Sequence, residues 1–265
     1  CNYILTQMEK TGGSYDDILA EAQLLGYAES DPAFDVGGQD AAQKLALLAA
    51  IAFGAQVDYD GMTIEGIEKI TLTDIRYAAD LGYKIKLLGV ASSAEGNIES
   101  RMQPCLVPAD SPLGQLDGVA NMVVLEGDFV GQTVYQGPGA GAGPTASAVM
   151  ADIIDIARGL TGPAFGQPAA TLAAPRTSGA PTAASYYLRM ALADRPGSFA
   201  QIADALGRAG ISIDRMRQTR HESDAAPVLI ITHACARQDL EKAMQRITAL
   251  EVSTEPPVAY RIENI

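Results

Sequence analysis

Gly26-Tyr27-Ala28-Glu29-Ser30-Asp31-Pro32-Ala33-Phe34-Asp35-Val36-Gly37-Gly38-Gln39-Asp40-Ala41-Ala42-Gln43-Lys44 is the stretch that decides what kind of chain this is. It sets four carboxylates (Glu29, Asp31, Asp35, Asp40) and one ammonium at the mouth of an apolar run. Glycines and Pro32 break its front half, so the carboxylates before Gly37 are expected on a turn-rich loop. A helix is expected from near Gly38 to Phe53, with Gly54 as its stop. At about 100° per residue, Asp40 and Lys44 share a side with Leu48 and Ile51, while Gln39 and Gln43 point away. Two readings are open. One is an exposed i,i+4 pair worth about 0.2–0.5 kcal/mol. The other is a polar site on a core helix, where a low-dielectric wall tunes an acid, a base or a clamp for a charged substrate. The phase favours the second.

The pattern Glu29-x-Asp31-Pro32-x-x-Asp35-Val36-x-Gly38-x-Asp40-x-x-x-Lys44, preceded by Gly26-Tyr27-Ala28, resembles the signature of homoserine dehydrogenases. That family interconverts aspartate 4-semialdehyde and homoserine with NAD(P), on the route to threonine, isoleucine and methionine. The resemblance implies a role for each matching residue. Glu29 would accept hydrogen bonds from the substrate's α-ammonium, with Tyr27 in the same pocket. Asp35 would orient substrate and lysine, and Asp40 would hold the reacting hydroxyl or a bridging water. Lys44 would protonate the nascent alkoxide or stabilise its charge. Asp31, before Pro32, ranks below these as a turn residue.

Cys1-Asn2-Tyr3-Ile4-Leu5 is similar to the second half of the family's Gly-Thr-x-Asn-Tyr-Ile-Leu segment, which follows a dinucleotide-binding domain. The resemblance implies that this cofactor domain lies outside the chain and that the chain alone is inactive. It leaves open whether Lys44 or that domain's lysine moves the proton, and whether NAD or NADP is used. A free-standing, non-catalytic amino-acid-binding or dimerisation protein is the alternative.

Composition bounds the classes. The 265 residues are 48% hydrophobic and have room for two domains. No apolar run approaches the ~18–20 residues that span a bilayer, and no leader pattern opens the chain. The three cysteines show no CxxC spacing and read as free thiols of a reducing cytoplasm, with no metal site. His221 and His233 are expected to be structural or surface residues. The net charge of −13 is uneven: residues 1–184 carry 9 Lys+Arg against 22 Asp+Glu, whereas residues 185–265 carry 10 of each. The split suggests two modules and disfavours nucleic acid, which needs a basic footprint.

Helices precede strands in the first module, which predicts an α+β layer with helices on one face of a mostly antiparallel or mixed sheet. Expected helices cover 2–10, 15–25 (capped by Ser14) and a short one capped by Thr73 and ending at Gly82. Expected strands cover 83–91, with Lys84 and Lys86 on a wet face, 103–108, 119–126 and 129–136, the last two joined by Gly127-Asp128. Gly137-Pro138-Gly139-Ala140-Gly141-Ala142-Gly143 fits the dinucleotide fingerprint in letters, but no strand with an acidic end follows it. Gly139-x-Gly141-x-Gly143-Pro144-Thr145 also resembles the family segment that returns to the nucleotide domain, which implies cofactor contact at Gly139, Gly141 and Thr145. The helix after it is expected to expose Ala146, Val149, Met150 and Ile153.

Prolines 163, 168, 175 and 181 mark 159–184 as a linker between a catalytic domain, 1–158, and a second domain, 185–265. The second reads βαββαβ, a ferredoxin-like order, with strands at 186–193, 211–219, 228–233 and 258–262 and helices at 199–209 and 239–250. Asp194-Arg195-Pro196-Gly197-x-Phe199-x-x-Ile202 with Gly210-Ile211-Ser212-Ile213 resembles the ACT domain, a small-molecule sensor. That implies an amino-acid effector, threonine being the candidate, near Asp194, Arg195, Gly197 and Ile213, and a homodimer or homotetramer. A fold used only for dimerisation stays open.

Overall fold

Each early helix is bounded by the residue that its local chemistry requires. In the computed structural model, α1 (Asn2–Thr11) stops at Gly12, left-handed at φ 70, and α2 (Tyr15–Leu24) starts at Ser14, whose hydroxyl accepts from the Asp17 N–H. A short α3 (Ala33–Val36) sits inside the carboxylate loop, and α4 (Gln39–Phe53) runs between Gly38 at φ 84 and Gly54 at φ 64. Then come β1 (Thr63–Ile64), α5 (Leu72–Asp80), β2 (Tyr83–Ala94), β3 (Asn97–Pro108), β4 (Ala120–Gly127), β5 (Gly131–Pro138), α6 (Ala142–Ala157) and β6 (Arg176–Thr177). The described residues are 1–94, 96–174, 176–177, 182–218 and 225–265; His221 lies outside them. They divide into two units: Cys1–Pro104 with Ala109–Ser178, and Cys105–Pro108 with Gly179–Ile265.

In the first unit α1, α4 and α5 pack on β2. Strand β3 pairs with β2, and with β1 and β6 in parallel. The strands β2 and β3 are longer than periodicity predicts, because Ser92, Ser93, Asn97, Glu99 and Ser100 hide the extension behind polar side chains. The cap of α5 is Thr71, not Thr73. Thr71 and Asp74 form a reciprocal capping box, and Thr73 sits inside the first turn. The β4–β5 ladder runs from Ala120↔Pro138 to Gly127↔Gly131, so the turn is Asp128, Phe129 and Val130 rather than Gly127-Asp128. Phe129 is thereby placed bare at the tip.

Lys84 and Lys86 do not form a wet face. Strand β2 is covered on both sides here, with Ile85 at 4% and Lys86 at 6% exposure. The Lys86 ammonium donates to Asn2 Oδ1 (2.9 Å) and to the Leu116 carbonyl, while Lys84 reaches Glu9 and Asp117. Each lysine meets its hydrogen-bond partners from helix α1 and residues 116–117, a layer that alternation in one strand cannot reveal.

The second unit comprises β7 (Tyr186–Ala193), α7 (Ser198–Arg208), β8 (Ile213–Gln218), β9 (Ala225–Thr232), α8 (Arg237–Thr248) and β10 (Val258–Ile262). Its antiparallel strand order, β10-β7-β9-β8, is the ferredoxin-like one. The inward residues of β7 (Tyr186, Leu188, Met190, Leu192) meet Ile202 and Leu206 of α7 and Leu240 and Ile247 of α8 in one core. Cys105 and Leu106, from the end of β3, pair in parallel with β10.

Burial draws the Lys86 ammonium down to about 8 from an ordinary 10.5; Asp117 and Glu9 oppose the shift, and Lys84 and Lys10 add to it. An amine whose pKa is lower in the fold than in the unfolded chain penalises the fold in full below the folded value. The penalty is relieved as pH rises towards the unfolded value. Wild type should therefore gain about 3 kcal/mol of unfolding free energy relative to Lys86→Met between about pH 7.5 and 10.5. Urea titrations across that range test this, and a difference independent of pH would refute it.

Candidate active site

The carboxylate loop is stapled by its own side chains. Gly26, at φ 73, turns the chain after α2, and the Tyr27 and Ala28 N–H groups both return to the Ala22 carbonyl. The Gln23 amide donates to the carbonyls of Glu29 (2.8 Å) and Ser30 (3.1 Å). Asp31 accepts from the Ala33 N–H at 3.3 Å, which is the turn role expected of it. Asp35 accepts from the Glu29 N–H at 3.0 Å, so two of the matched carboxylate residues are joined directly. The Tyr27 ring lies 5.2 Å from that of Tyr3, whose hydroxyl donates to Glu21.

Close backbone contact fixes the entry to α4. The Ile67 N–H donates to the Val36 carbonyl, and the Glu65 N–H to the Met102 carbonyl. A Cβ on Gly66 would stand 2.3 Å from the Val36 oxygen and 2.5 Å from the Gly37 Cα. Gly38 needs its left-handed φ, and a Cβ there would meet the Met102 side chain at 3.3 Å. The buried stripe of α4 is Ala42, Ala46, Ala49 and Ala50, and Ala42 and Ala46 form a small core with Met62 and Met102.

The helical phase held, and the direction of that face did not. Asp40 and Lys44 do share a side with Leu48 and Ile51, but the side is open: Leu48 is 44% and Ile51 53% exposed. The alanine stripe turns inward because small side chains let α4 lie close to the strands, which leaves Leu47 and Leu48 outside. Asp40 and Lys44 form an i,i+4 ion pair at 2.5 Å, the lysine being the more exposed partner. Both Asp35 and Asp40 lie near the start of α1. The Cys1 thiol donates to the Asp35 carbonyl at 3.2 Å, and the carboxylates of Asp35 and Asp40 are close enough to act on the start of that helix.

The remaining matched positions sit elsewhere. Gly141, at φ 105, is the N-cap of α6, its carbonyl accepts the Thr145 N–H, and Gly139 lies against Asn121. Among the described residues no hydrogen bond or ion pair joins them to the carboxylate loop. The chain enters α6 from an antiparallel hairpin, whereas a dinucleotide fingerprint needs a parallel βαβ unit, so residues 137–143 do not form that cradle by themselves. The whole outer surface of α6 is open, with Val149, Met150, Ile153, Ile154 and Ile156 exposed. In the second unit Gly197, at φ 89, begins α7 after the exposed turn of Asp194, Arg195 and Pro196; Ile213 opens β8. Among the described residues no cluster of His, Cys, Asp and Glu could hold a metal ion, and no helix is long and apolar enough to cross a membrane.

Sequence reasoning missed Asn2. Its amide donates to the carbonyls of Leu116, Gly118 and Ala120, at 3.2, 3.1 and 3.3 Å. No local signal identifies it, since all three acceptors lie more than 110 positions away.

Comparison with known proteins places these features in context. The family model described as homoserine dehydrogenase matches residues 1–154, and that of the ACT domain matches 186–252. A homoserine dehydrogenase of Pseudomonas aeruginosa is 42% identical over all of this chain and 63% of its own length. One of Neisseria gonorrhoeae is 41% identical, with 62% of its length covered. The crystal structure of a homoserine dehydrogenase from Thiobacillus denitrificans superposes with a TM-score of 0.90 at 41% identity, over 99% of this chain and 62% of that one. The chain thus spans a little over three-fifths of these relatives.

Gly66→Ala should lower the unfolding free energy by about 1–3 kcal/mol, the cost of overpacking a site that cannot relax. Urea denaturation measures it, and an unchanged midpoint would mean that the approach of residues 36–38 is not tight.

Proposed function

The chain belongs to the homoserine dehydrogenase family, and from that premise we propose that its first unit is the substrate half-site for the interconversion of aspartate 4-semialdehyde and homoserine. The observation that carries this is the clustering of the matched residues: Asp35 and Asp40 lie near the start of α1, Lys44 is paired with Asp40, and the Glu29 N–H is held by Asp35. Homoserine offers an α-ammonium, a carboxylate and a hydroxyl. Glu29, with Tyr27 beside it, takes the ammonium. Asp35 holds the Glu29 backbone in place and orients the substrate. Asp40 accepts from the reacting hydroxyl or from a bridging water, and the Lys44 ammonium stands by to meet the developing alkoxide.

Members of this family use NAD(P), which supplies or accepts the hydride. The residues of this chain bind, orient and handle the proton. On this reading the open apolar side of α6 and the outer side of α4 are surfaces that a nucleotide-binding domain covers, and such cover supplies the low-dielectric wall that Lys44 lacks here.

The ACT unit supports a regulatory role beside this one. The turn of Asp194, Arg195 and Pro196 delivers the first N–H groups of α7 after Gly197, a setting suited to the carboxylate of an amino-acid effector. Threonine is the proposed effector, and pairing of ACT units in a homo-oligomer the proposed setting.

Calorimetry with homoserine should give binding that weakens at least about tenfold in Asp40→Ala, as for loss of a charged hydrogen-bond partner. Threonine binding should persist in that variant and fall in Asp194→Ala. Threonine heat without homoserine heat in wild type would favour the free-standing regulator. The 265-residue polypeptide should not reduce NADP with homoserine, and turnover would overturn the assignment of the cofactor to residues outside it.

A further inference from the structure

The function proposed above makes no use of Lys86, the one buried lysine among the described residues. We propose that Lys86 is a positioning residue for the carboxylate loop, acting through the first turn of α1. Its Nζ donates to Asn2 Oδ1 at 2.9 Å and to the Leu116 carbonyl. The amide nitrogen of Asn2 faces three carbonyls, those of Leu116, Gly118 and Ala120. Rotated by half a turn, the amide would aim its oxygen at those carbonyls instead. Three carbonyl oxygens already repel that rotamer, and the cationic donor on Oδ1 adds to its exclusion. Lys86 therefore completes the hydrogen bonding of Asn2 and fixes its place.

From Asn2 the path to the site is one residue long. The Cys1 carbonyl accepts the Leu5 N–H that opens α1, and the Cys1 thiol donates to the Asp35 carbonyl. Asp35 in turn holds the Glu29 N–H, and the Gly38 N–H returns to the Asp35 carbonyl. The first turn of α1 is thus a bracket with Lys86 on one side and the carboxylate loop on the other. The remaining ties to 116–120 fall further along α1: Lys10 and Lys84 hold Asp117, Lys84 reaches Glu9, and Thr6 accepts the Gly118 N–H. They grip the base of the β4–β5 hairpin and touch neither Asn2 nor Cys1. Lysine 86 differs from them by location, not by chemistry.

This proposal takes its functional meaning from the reading of the loop as a homoserine site, but its structural part is tested without ligand. Amide hydrogen exchange is followed on the 265-residue chain. Lys86→Met should speed exchange about tenfold at 35–38 as well as at 116–120, the effect of one lost hydrogen bond to a charged group. Lys86→Arg keeps the cation and its donors and should restore protection at 35–38. Lys84→Met should speed exchange at 116–120 alone. Homoserine affinity should fall about tenfold in Lys86→Met and recover in Lys86→Arg. Exchange at 35–38 within twofold of wild type in Lys86→Met overturns the proposal, whatever happens at 116–120, and so does a failure of Lys86→Arg to restore protection. If circular dichroism shows Lys86→Met unfolded, Asn2→Ala takes its place with the same expected and overturning results. A wild-type chain that binds no homoserine while 35–38 responds to Lys86→Met would remove the functional reading and leave the positioning role standing.

Discussion

The first unit depends on how closely the start of α4 approaches the strands beneath it. The Val36 carbonyl, the Gly37 Cα and the Gly66 Cα meet at distances that leave no room for a side chain on residue 66. Below them Ala42 and Ala46 rest on Met62 and Met102. At Gly89 of β2 a Cβ would stand 2.5 Å from the Met102 side chain. Small residues on both surfaces make this approach possible, and dispersion contacts at short range hold it. The direction of the carboxylate loop, the exit of α4 and the outward face of Asp40 and Lys44 all follow.

Close packing has a cost in exposed apolar surface. Leucines and isoleucines that a looser helix would bury stand outside, and α6 has no buried residue at all. Phe129 and Val130 add a bare hairpin tip. Most helical stability in proteins comes from tertiary packing of an apolar face, which α6 does not have here. An ion pair that looks isolated on α4 then becomes intelligible. In open surroundings it is worth a few tenths of a kcal/mol; beneath a second surface the same charges would interact several times more strongly.

The second unit is built on a different economy. Its alternating strands bury one side against two amphipathic helices, and its charges balance. It carries an ion pair between Arg261 and Glu263, with the Arg261 guanidinium also donating to the Thr182 carbonyl. Burial would lower the Arg261 pKa, but Glu263 holds the group charged. The hydrogen bond to Thr182 ties the last strand to the segment that leads into the first.

The sequence by itself determined the α+β class, the ferredoxin-like order, the phase of α4 and the turn that opens the carboxylate loop at Gly26. Each of these rests on short-range chemistry: caps, turn residues, and the periods of 3.6 and 2 that the backbone imposes. Only the tertiary structure decided which side of α4 faces inward, that Lys86 ends among carbonyls rather than in water, and that Asn2 gathers a segment more than a hundred residues away. Those outcomes depend on the distance between elements. Side-chain volumes on both partners set that distance, and no pattern within one element encodes it.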